Sequence, residues 1–444
     1  MRRFGNYSRG LIAALFMCVL ACAVASAQTP VADEGAANRS PELLMTGEAP
    51  SEVQPFDRLL RTFVVENNIS AAALAVVREG RLVLARGYSR SADPAREPVQ
   101  PTSLFRIASI SKPITAVAVL QLVEQGNLSL DEKVFNLLDL GSGLSAEAQV
   151  DPRLREVTIG QLLRHTAGFD RQKSFDPMFR SVEIAESLGV PPPAGPEHVI
   201  RHMTTRPLDF DPGARYAYSN FGYCLLGRVI EKVTGEGYEQ AVQARVLAPL
   251  QIRTMRIGKT LPEGRAEHEV SYDGSIVPRL AVIGKVGEWA PAPYGGWYLE
   301  AMDSHGGWIA SAVDLVRFAR ALDDVERCPL LKPESIRGMW TRPEGAAGFE
   351  ADGSEKSTFY GYGWFVRPGK DAAPFACWHT GSLDGTATLL VHRADRTSWA
   401  VLFNRRSGPK HEHFGQAIDP LLQSAAAEVE AWPEVDLFTK YESQ

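Results

Sequence analysis

The stretch RIASISKPITAV, residues 106–117, places a serine and a lysine three positions apart at the start of an apolar helical pattern. Side chains three apart on a helix lie on one face, so Lys112 must approach the hydroxyl of Ser109. Pro113 is tolerated there because the first helical turn offers its missing N–H no partner. The free N–H groups and the positive dipole end of a helix N-terminus also favour an anion that forms at this serine.

The chemistry of this pair depends on the protonation state of the lysine. A serine hydroxyl is a weak nucleophile, and a neighbouring lysine that desolvation keeps neutral can take its proton. The S-x-x-K pattern alone is weak, because a serine at a helix start is often a plain N-cap. A second copy, Ser407-Gly-Pro-Lys410, has glycine and proline between its ends. We predict a loop there, without the helix that gives the pair its geometry.

Strand and helix signals divide the chain into two ends and a middle. Two strand-like runs in residues 70–89 flank the hairpin signal Glu79-Gly80, and strand signals return after about residue 305. A helix is expected from about Ser111 to Gln125, and helical patches fill residues 127–300. The pattern predicts an α/β (α+β) fold. An antiparallel sheet built from both chain ends is flanked by helices and carries an inserted helical lobe.

The domain boundaries follow from this division. We predict one domain over residues 53–430, with the sheet lobe at 53–126 and 305–430 and the helical lobe at 127–304. Residues 28–52 are rich in Ala, Pro, Glu and Ser without periodicity and are interpreted as a linker. Residues 413–432 are expected to form a closing helix despite Pro420.

Two further motifs accompany the Ser109–Lys112 pair. Tyr218-Ser219-Asn220 precedes a helical pattern and is the only Tyr-x-Asn in the chain. Trp378-His379-Thr380-Gly381 ends one strand-like run and precedes another. With these motifs in this order, the sequence resembles the serine β-lactamase and penicillin-binding protein superfamily, in its class C-like branch. The resemblance spans roughly residues 55–405, and flanking stretches support it: LFRIASISKPITA, LSLDEKV, VTIGQLLRHTAGF, HGGWIASAVDLVRFARAL and YGYGWFV.

The resemblance implies a β-lactamase/transpeptidase-like fold and a role for each motif residue. Ser109 would be the acylated nucleophile, and Lys112 and Tyr218 would together act as general base and then as general acid. Asn220 would hold a substrate amide or the lysine. The remaining implied residues are His379, Thr380 and Gly381 along the far wall of the cleft, and the backbone N–H groups of Ser109 and Ser382 as the oxyanion hole. The chain departs from the S-D-N and K-T-G forms of these motifs at its tyrosine and its histidine.

The resemblance implies an acyl-enzyme hydrolase but does not choose the substrate, since one fold hosts β-lactamases, DD-peptidases, D-aminopeptidases and carboxylesterases. True β-lactamases usually carry lysine where this chain has His379, and a mostly neutral histidine should hold a carboxylate less firmly. We therefore favour an esterase or D-peptidase acting on a small molecule or peptide. A β-lactamase, or a catalytically weak protein that binds peptidoglycan or other envelope material, stays open. No metal or organic cofactor is implied.

The N-terminus predicts export. Arginines at positions 2, 3 and 9 precede an apolar run from Leu11 to Val24 that is too short to span a membrane, and Ala25-Ser26-Ala27 fits a cleavage site. We therefore predict a signal peptide over residues 1–27. Val19-Leu20-Ala21-Cys22 also resembles a lipoprotein box, which would leave a lipid anchor on Cys22. Both interpretations make the protein periplasmic or secreted, and the oligomeric state stays open.

Composition and spacing exclude several other classes. The formal net charge of −6 gives no indication of nucleic-acid binding. No G-x-S-x-G occurs, so the nucleophile-elbow hydrolases are excluded. The resemblance places His165 in a structural segment. His198 and His202 lie four apart but lack a third ligand, which favours a solvated helix face over a zinc site. After cleavage only Cys224, Cys328 and Cys377 remain. They form no disulfide framework, and whether the last two pair stays open.

Overall fold

The computed structural model describes residues 42–90, 97–273, 278–369 and 376–441. The predicted signal peptide with its cleavage site at Ala27, Cys22 of the lipoprotein alternative and residues 28–41 of the predicted linker lie outside the described residues. In the part of the chain that is described, no helix is both long enough and apolar enough to cross a membrane.

An antiparallel sheet forms the centre of the molecule. Within the described residues it has eight strands in the order β1-β3-β2-β13-β12-β11-β10-β9. Their bounds are β1 Leu44–Glu48, β2 Ala71–Arg78, β3 Arg81–Ser89, β9 Phe359–Tyr360, β10 Phe365–Arg367, β11 Ala376–Leu383, β12 Thr386–Arg393 and β13 Thr397–Phe403. Strands from the two chain ends meet in the middle of the sheet, where β2 pairs with β13 and Ala72 lies opposite Phe403. This confirms the predicted fold class.

The hairpin signals explain how neighbouring strands are joined. Glu79 and Gly80 have φ angles of 50° and 79°, and Arg78 pairs with Arg81 on either side of them. Two central residues with positive φ match the right-handed twist of the flanking strands, which is why this short connection suits a hairpin. The turn between β12 and β13 lies at residues 394–396, where the sequence predicts it.

The predicted linker is wrong at its C-terminal end, where the chain forms an edge strand of the sheet. Residues 44–48, which the sequence analysis assigned to the linker, form strand β1 and pair with β3 from Leu44↔Ser89 to Glu48↔Ala85. The strand was missed because its sequence, LMTGE, is short and carries a glycine, so neither alternation nor β-propensity marks it. Its backbone covers the edge of β3, which would otherwise present unpaired N–H and C=O groups.

Helices cover both faces of the sheet. Their bounds are α1 Gln54–Glu66, α2 Ser111–Glu124, α3 Val134–Leu137, α4 Ile159–Leu163, α5 Ser181–Leu188, α6 Pro196–Thr204, α7 Asn220–Thr234, α8 Tyr238–Val242, α9 Asp303–Gly306, α10 Ala312–Arg320, α11 Pro333–Met339 and α12 Phe414–Ala427. α1 and α12 pack on one face, where Phe56, Trp399 and Phe414 belong to one apolar cluster. α10 packs on the other face, within a larger cluster that continues into the helical region. α12 contains Pro420 without ending there, as predicted.

The described residues also form two small sheets that the sequence did not indicate. One has the order β4-β8-β5, with bounds β4 Phe105–Arg106, β5 Arg256–Ile257 and β8 Trp308–Ala310. The other pairs β6 Arg279–Leu280 with β7 Trp289–Ala290. Strands of two or three residues are too short for a periodic signal, so sequence reasoning could not find them. The first small sheet matters for the site because β4 leads directly into the Ser109 turn.

α2 is the central helix of the molecule. Its side chains are buried almost all round, from Ser111 to Leu122, as expected for a helix that is apolar on every face. Gly126, with φ of 72°, follows its end and supplies the left-handed residue that commonly terminates a helix. The helix therefore runs where RIASISKPITAV predicts it, and its N-terminus lies against the sheet.

Candidate active site

The first predicted site residue, Ser109, lies in a 3₁₀ turn, Ala108–Ile110, that enters α2. Ala108 has φ of 48°, a left-handed conformation that costs a non-glycine residue free energy and tends to occur at functional sites. The Ile107 N–H donates to the Trp308 carbonyl at 3.0 Å, and the Ser111 hydroxyl donates to the Ala108 carbonyl at 2.7 Å. These bonds hold the turn, and Ser109 remains half-buried within it.

Lys112 lies one turn further on and is fully buried. Its Nζ lies 3.2 Å from Ser109 Oγ, 2.8 Å from Asn220 Oδ1 and 2.8 Å from the His305 carbonyl oxygen. Burial lowers the pKa of Lys112 well below its ordinary value, and the Arg171 guanidinium lowers it further. The structure therefore surrounds this nitrogen with three oxygen atoms in a dry environment.

These contacts suit a neutral lysine amine. A neutral amine has two N–H donors and one lone pair. The Asn220 Oδ1 atom and the His305 carbonyl both accept, so they take the two donors. The lone pair is then left for the hydroxyl proton of Ser109. An amine arranged in this way can accept a proton from the Ser109 hydroxyl without first losing one to water.

Tyr218 lies on the other side of Ser109. Burial raises the pKa of the Tyr218 phenol, and its interaction with Ser109 lowers that pKa by less, so the phenol keeps its proton at neutral pH. Lys112 Nζ lies 4.8 Å from the centre of the Tyr218 ring, and the guanidinium carbon of Arg171 lies 4.6 Å from it. The Tyr218 ring thus lies between the Lys112 amine and the Arg171 guanidinium, and the guanidinium is within the range of a cation–π contact.

Asn220 begins α7 and connects the lysine to a carboxylate. Ser219 caps the helix by accepting the Gly222 N–H at 3.2 Å, which fixes the direction of the Tyr218-Ser219-Asn220 turn. Asn220 Oδ1 accepts a hydrogen bond from Lys112 Nζ, and Asn220 Nδ2 donates one to Asp176 Oδ2 at 2.7 Å. Of the two roles that the resemblance allowed for Asn220, the structure shows the contact with the lysine.

Strand β11 lies against the Ser109 turn because Gly381 permits a close approach. A Cβ atom at position 381 would lie 2.1 Å from the Ile107 carbonyl oxygen and 2.1 Å from Thr388 Oγ1. Thr380 and Ser382, on either side of this glycine, are half-buried. The β10 strand pairs with β11 only over Ala376–Trp378, so the edge of β11 beyond Trp378 has no β10 partner. The oxyanion hole formed by the N–H groups of Ser109 and Ser382 stays a prediction.

His379 corrects an expectation. It does not line an open wall of the cleft, because it is only 1% exposed and both ring nitrogens have partners. Nδ1 lies 2.8 Å from the Thr380 carbonyl, which only accepts, so Nδ1 carries the hydrogen. Nε2 then accepts from the Tyr360 hydroxyl at 3.0 Å. Burial lowers the pKa of His379 to about 3, so the ring is neutral throughout the physiological range and offers no charge to a carboxylate.

Four residues at the site were missed by sequence reasoning or set aside. Arg171 and Asp176 lie in a loop without a motif, and His305 contributes a backbone carbonyl that no side-chain pattern reports. His165 was assigned to a structural segment, and its Nδ1 accepts the Ser219 N–H at 3.3 Å while its ring contacts Tyr218. The only available signal was the position of His165 in LLRHTAGF, which the resemblance covers.

The second S-x-x-K pattern does not share the geometry of the first. Lys410 is exposed in a turn, and the loop that it shares with Ser407 has no helix, as predicted. Among the described residues, no group of three or more His, Cys, Asp or Glu side chains could hold a metal ion. His202 is buried and lies 3.0 Å from the Ser187 hydroxyl, so the expected solvated helix face is wrong for this residue. Cys224, Cys328 and Cys377, all of them described, are free thiols, which answers the open pairing question.

Comparisons with known proteins agree with this geometry. The family model described as Beta-lactamase matches residues 56–420. The chain is 29% identical to esterase EstB of Burkholderia gladioli over 363 residues, which cover 74% of this chain and 82% of EstB. It is 31% identical to a probable fimbrial assembly protein, FimD serogroup H1 of Dichelobacter nodosus, over 236 residues that cover 51% of this chain. The chain spans about half the length of that relative (50%).

A solved structure extends the similarity to three dimensions. The D-amino acid amidase of Ochrobactrum anthropi SV3, complexed with D-phenylalanine, superposes with a TM-score of 0.62. The match covers 85% of this chain and all of the amidase chain at 20% identity, which shows a shared fold. The family model matches more than half of the chain, which has a sheet built from both chain ends and the Ser109–Lys112 turn against β11. This chain is therefore a member of the Beta-lactamase family.

Proposed function

We propose that the protein is an exported serine hydrolase that forms an acyl-enzyme on Ser109 and acts on esters or D-amino acid amides and peptides. The observation that carries the proposal is the environment of Lys112. This buried amine has two carbonyl acceptors at 2.8 Å and the Ser109 hydroxyl at 3.2 Å. A structural lysine would be paired with a carboxylate, whereas this one faces neutral oxygens and the hydroxyl that it would deprotonate.

Acylation uses the two side chains that flank the nucleophile. Ser109 Oγ bonds to the substrate carbonyl carbon while its proton passes to Lys112 Nζ. The bond to the leaving group then breaks, and the leaving group takes the phenol proton of Tyr218. Lys112 returns its proton to the Tyr218 oxygen, which leaves both side chains neutral again. The raised pKa of Tyr218 supports this role, because the phenol is protonated when the leaving group needs a proton.

Deacylation repeats these transfers with water. The water oxygen bonds to the acyl carbon and gives a proton to Lys112. The bond between the acyl carbon and Ser109 Oγ then breaks, and Oγ takes the phenol proton of Tyr218, which Lys112 replaces. The negatively charged oxygen that forms in both acylation and deacylation would accept hydrogen bonds from the backbone N–H groups of Ser109 and Ser382. The contact of Gly381 with the Ser109 turn supports this pairing, since it holds β11 close to the nucleophile.

The burial of His379 and the similarity to an esterase support a substrate class. His379 is neutral and buried, so it supplies no cation of the kind that true β-lactamases use for the drug carboxylate. The similarity to an esterase over 82% of that protein supports ester substrates. We therefore propose turnover of short-chain esters and D-amino acid amides in preference to β-lactams.

A labelling experiment tests the nucleophile. Purified protein is treated with a fluorophosphonate probe, and the adduct is located by mass spectrometry. We expect one adduct on Ser109 and none in Ser109→Ala, with the Ala variant still folded by circular dichroism. An adduct on Ser407, or on the Ala variant, contradicts the assignment. Rates on p-nitrophenyl acetate, a D-alanyl anilide and nitrocefin then rank the substrate classes, and a preference for nitrocefin contradicts the proposed class.

Export is tested separately. The apolar run and Ala25-Ser26-Ala27 support cleavage after Ala27, which N-terminal sequencing of the protein recovered from outside the cytoplasm would reveal. Incorporation of labelled palmitate that is lost in Cys22→Ser would instead support the lipid anchor. Recovery of the full-length chain in the cytoplasm contradicts both forms of export.

A further inference from the structure

A buried carboxylate extends the contacts of Lys112 by one residue. Asp176 begins the 3₁₀ helix Pro177–Phe179, and its side chain is 14% exposed. Its Oδ1 accepts the Met178 N–H at 3.2 Å, and its Oδ2 accepts Asn220 Nδ2 at 2.7 Å. The Arg171 guanidinium lies 3.8 Å from the same Oδ2. Every one of these partners is a donor.

This carboxylate decides how the Asn220 amide is oriented. An amide has a donor end and an acceptor end, whereas a carboxylate can only accept. The Nδ2 group must therefore face Asp176, and Oδ1 must face Lys112 Nζ, 2.8 Å away. With the amide reversed, two oxygens would meet at Asp176, and an NH₂ group would compete with Ser109 for the lysine lone pair. The observed orientation leaves that lone pair to the nucleophile.

We propose that Asp176 is a positioning residue for the acylation of Ser109, which fixes the Asn220 amide toward Lys112 and has Arg171 as its opposing charge. The inference rests on the proposed function, since it gives Asp176 a part in that reaction. Asp176 would act through Asn220, without contact with the reacting atoms.

The charges around Lys112 make the inference measurable. Arg171 lowers the pKa of Lys112 and Asp176 raises it, while burial has the larger lowering effect. The other titratable groups that face this nitrogen are His165, Tyr218, Tyr223, His305 and His379. Burial lowers the pKa of each of these histidines and raises that of each tyrosine, so all five are neutral at neutral pH. Arg171 and Asp176 are therefore the charges whose removal should shift Lys112, in opposite directions.

The experiment compares Asp176→Asn with a matched control in the same region. Asp209→Asn is the control, because Asp209 accepts the Asp170 N–H at 2.8 Å and so holds the same loop, but contacts neither Asn220 nor Lys112. The readout is kcat/KM on p-nitrophenyl acetate across pH, which reports acylation alone. We expect Asp176→Asn to lower kcat/KM by about 10- to 100-fold, since misplacement of a reacting group by about 1 Å can cost about 100-fold. Its acid limb should also move to lower pH, since the lysine loses a neighbouring negative charge.

A second variant keeps the test decisive if Asp176→Asn does not fold. Arg171→Gln retains the Asp176–Asn220 contact and removes the positive charge, so its acid limb should move to higher pH. An Arg171→Gln profile with an unmoved limb overturns the inference. So does an equal loss of activity in Asp176→Asn and Asp209→Asn with unmoved limbs, because Asp176 would then only hold the loop.

The wild-type labelling separates the two levels of the argument. If the fluorophosphonate does not modify Ser109 in the wild-type protein, the proposed function fails and this inference fails with it. If Ser109 is labelled and Asp176→Asn reacts at the wild-type rate with an unchanged profile, the inference alone is wrong.

Discussion

Replacement of Lys112 by methionine should change how stability depends on pH, because a neutral buried lysine binds fewer protons than the unfolded chain does. Lys112 is 0% exposed, and burial holds its pKa well below 10.5. Between the folded-state pKa and 10.5, the unfolded chain binds one more proton at this position. The free energy of unfolding of the wild type should therefore rise with pH by about 1.4 kcal/mol per pH unit from this group. Below that window the contribution is constant.

The methionine variant lacks this dependence but keeps the other titrating groups. It also leaves Asn220 Oδ1 and the His305 carbonyl without their donor, and each unsatisfied buried acceptor costs about 1–3 kcal/mol. That cost is the same at every pH. The stability of the wild type relative to the variant should thus increase by about 2 kcal/mol from about pH 8 to about pH 9.5, at about 1.4 kcal/mol per unit.

Urea unfolding of both proteins at the two pH values measures this difference. The comparison cancels the groups that titrate alike in the two proteins, so the slope belongs to Lys112. A stability difference that does not change with pH would refute the reasoning, because Lys112 would then be charged in the folded protein. It could not accept the Ser109 proton in that state.

Three further predictions follow from the site. Lys112→Ala should lower turnover of p-nitrophenyl acetate by several powers of ten, as loss of one member of a catalytic unit usually does, whereas Lys410→Ala should leave it nearly unchanged; comparable losses would mean that the wrong lysine is assigned. Gly381→Ala should lower both Tm and kcat/KM, because its Cβ would lie 2.1 Å from the Ile107 carbonyl, while Gly338→Ala, with open space at that position, should change neither by much. The pKa of His379 is about 3, so the ratio of kcat/KM for a penicillin to kcat/KM for a neutral ester should be the same at about pH 5.5 and about pH 8. A ratio that rises at the lower pH would mean that a protonated His379 contacts the substrate carboxylate.

The sequence predicted those parts of the site that local periodicity determines. Ser109 and Lys112 meet because they are three apart at a helix start, and that spacing can be recognised in any chain. Tyr218 and Asn220 could be predicted to join them only through the resemblance. The hairpins were predictable because Glu79-Gly80 and residues 394–396 carry turn residues between two apolar runs.

The remainder depends on which element packs against which. His379 was expected to face substrate, but it is buried against Tyr360. This tyrosine lies 19 residues away on another strand, and its hydroxyl hydrogen-bonds His379 Nε2. Asp176 and Arg171 act through a loop whose path no periodicity describes. Strand β1 was assigned to a linker because its pairing with β3 depends on the partner edge as well as on its own five residues.

The meeting of both chain ends in one sheet also orders events during folding. β2 acquires its neighbour β13 only when residues near the C-terminus are available, since Ala72 pairs with Phe403. Contacts this distant along the chain form slowly, because a long loop must close before any pairing energy is gained. A chain that ends after α11 would contain Ser109, Lys112 and Asn220, yet it would lack β11, which lies against the Ser109 turn. A truncated or partly synthesised chain would therefore contain Ser109 and Lys112 without the strand that lies against their turn.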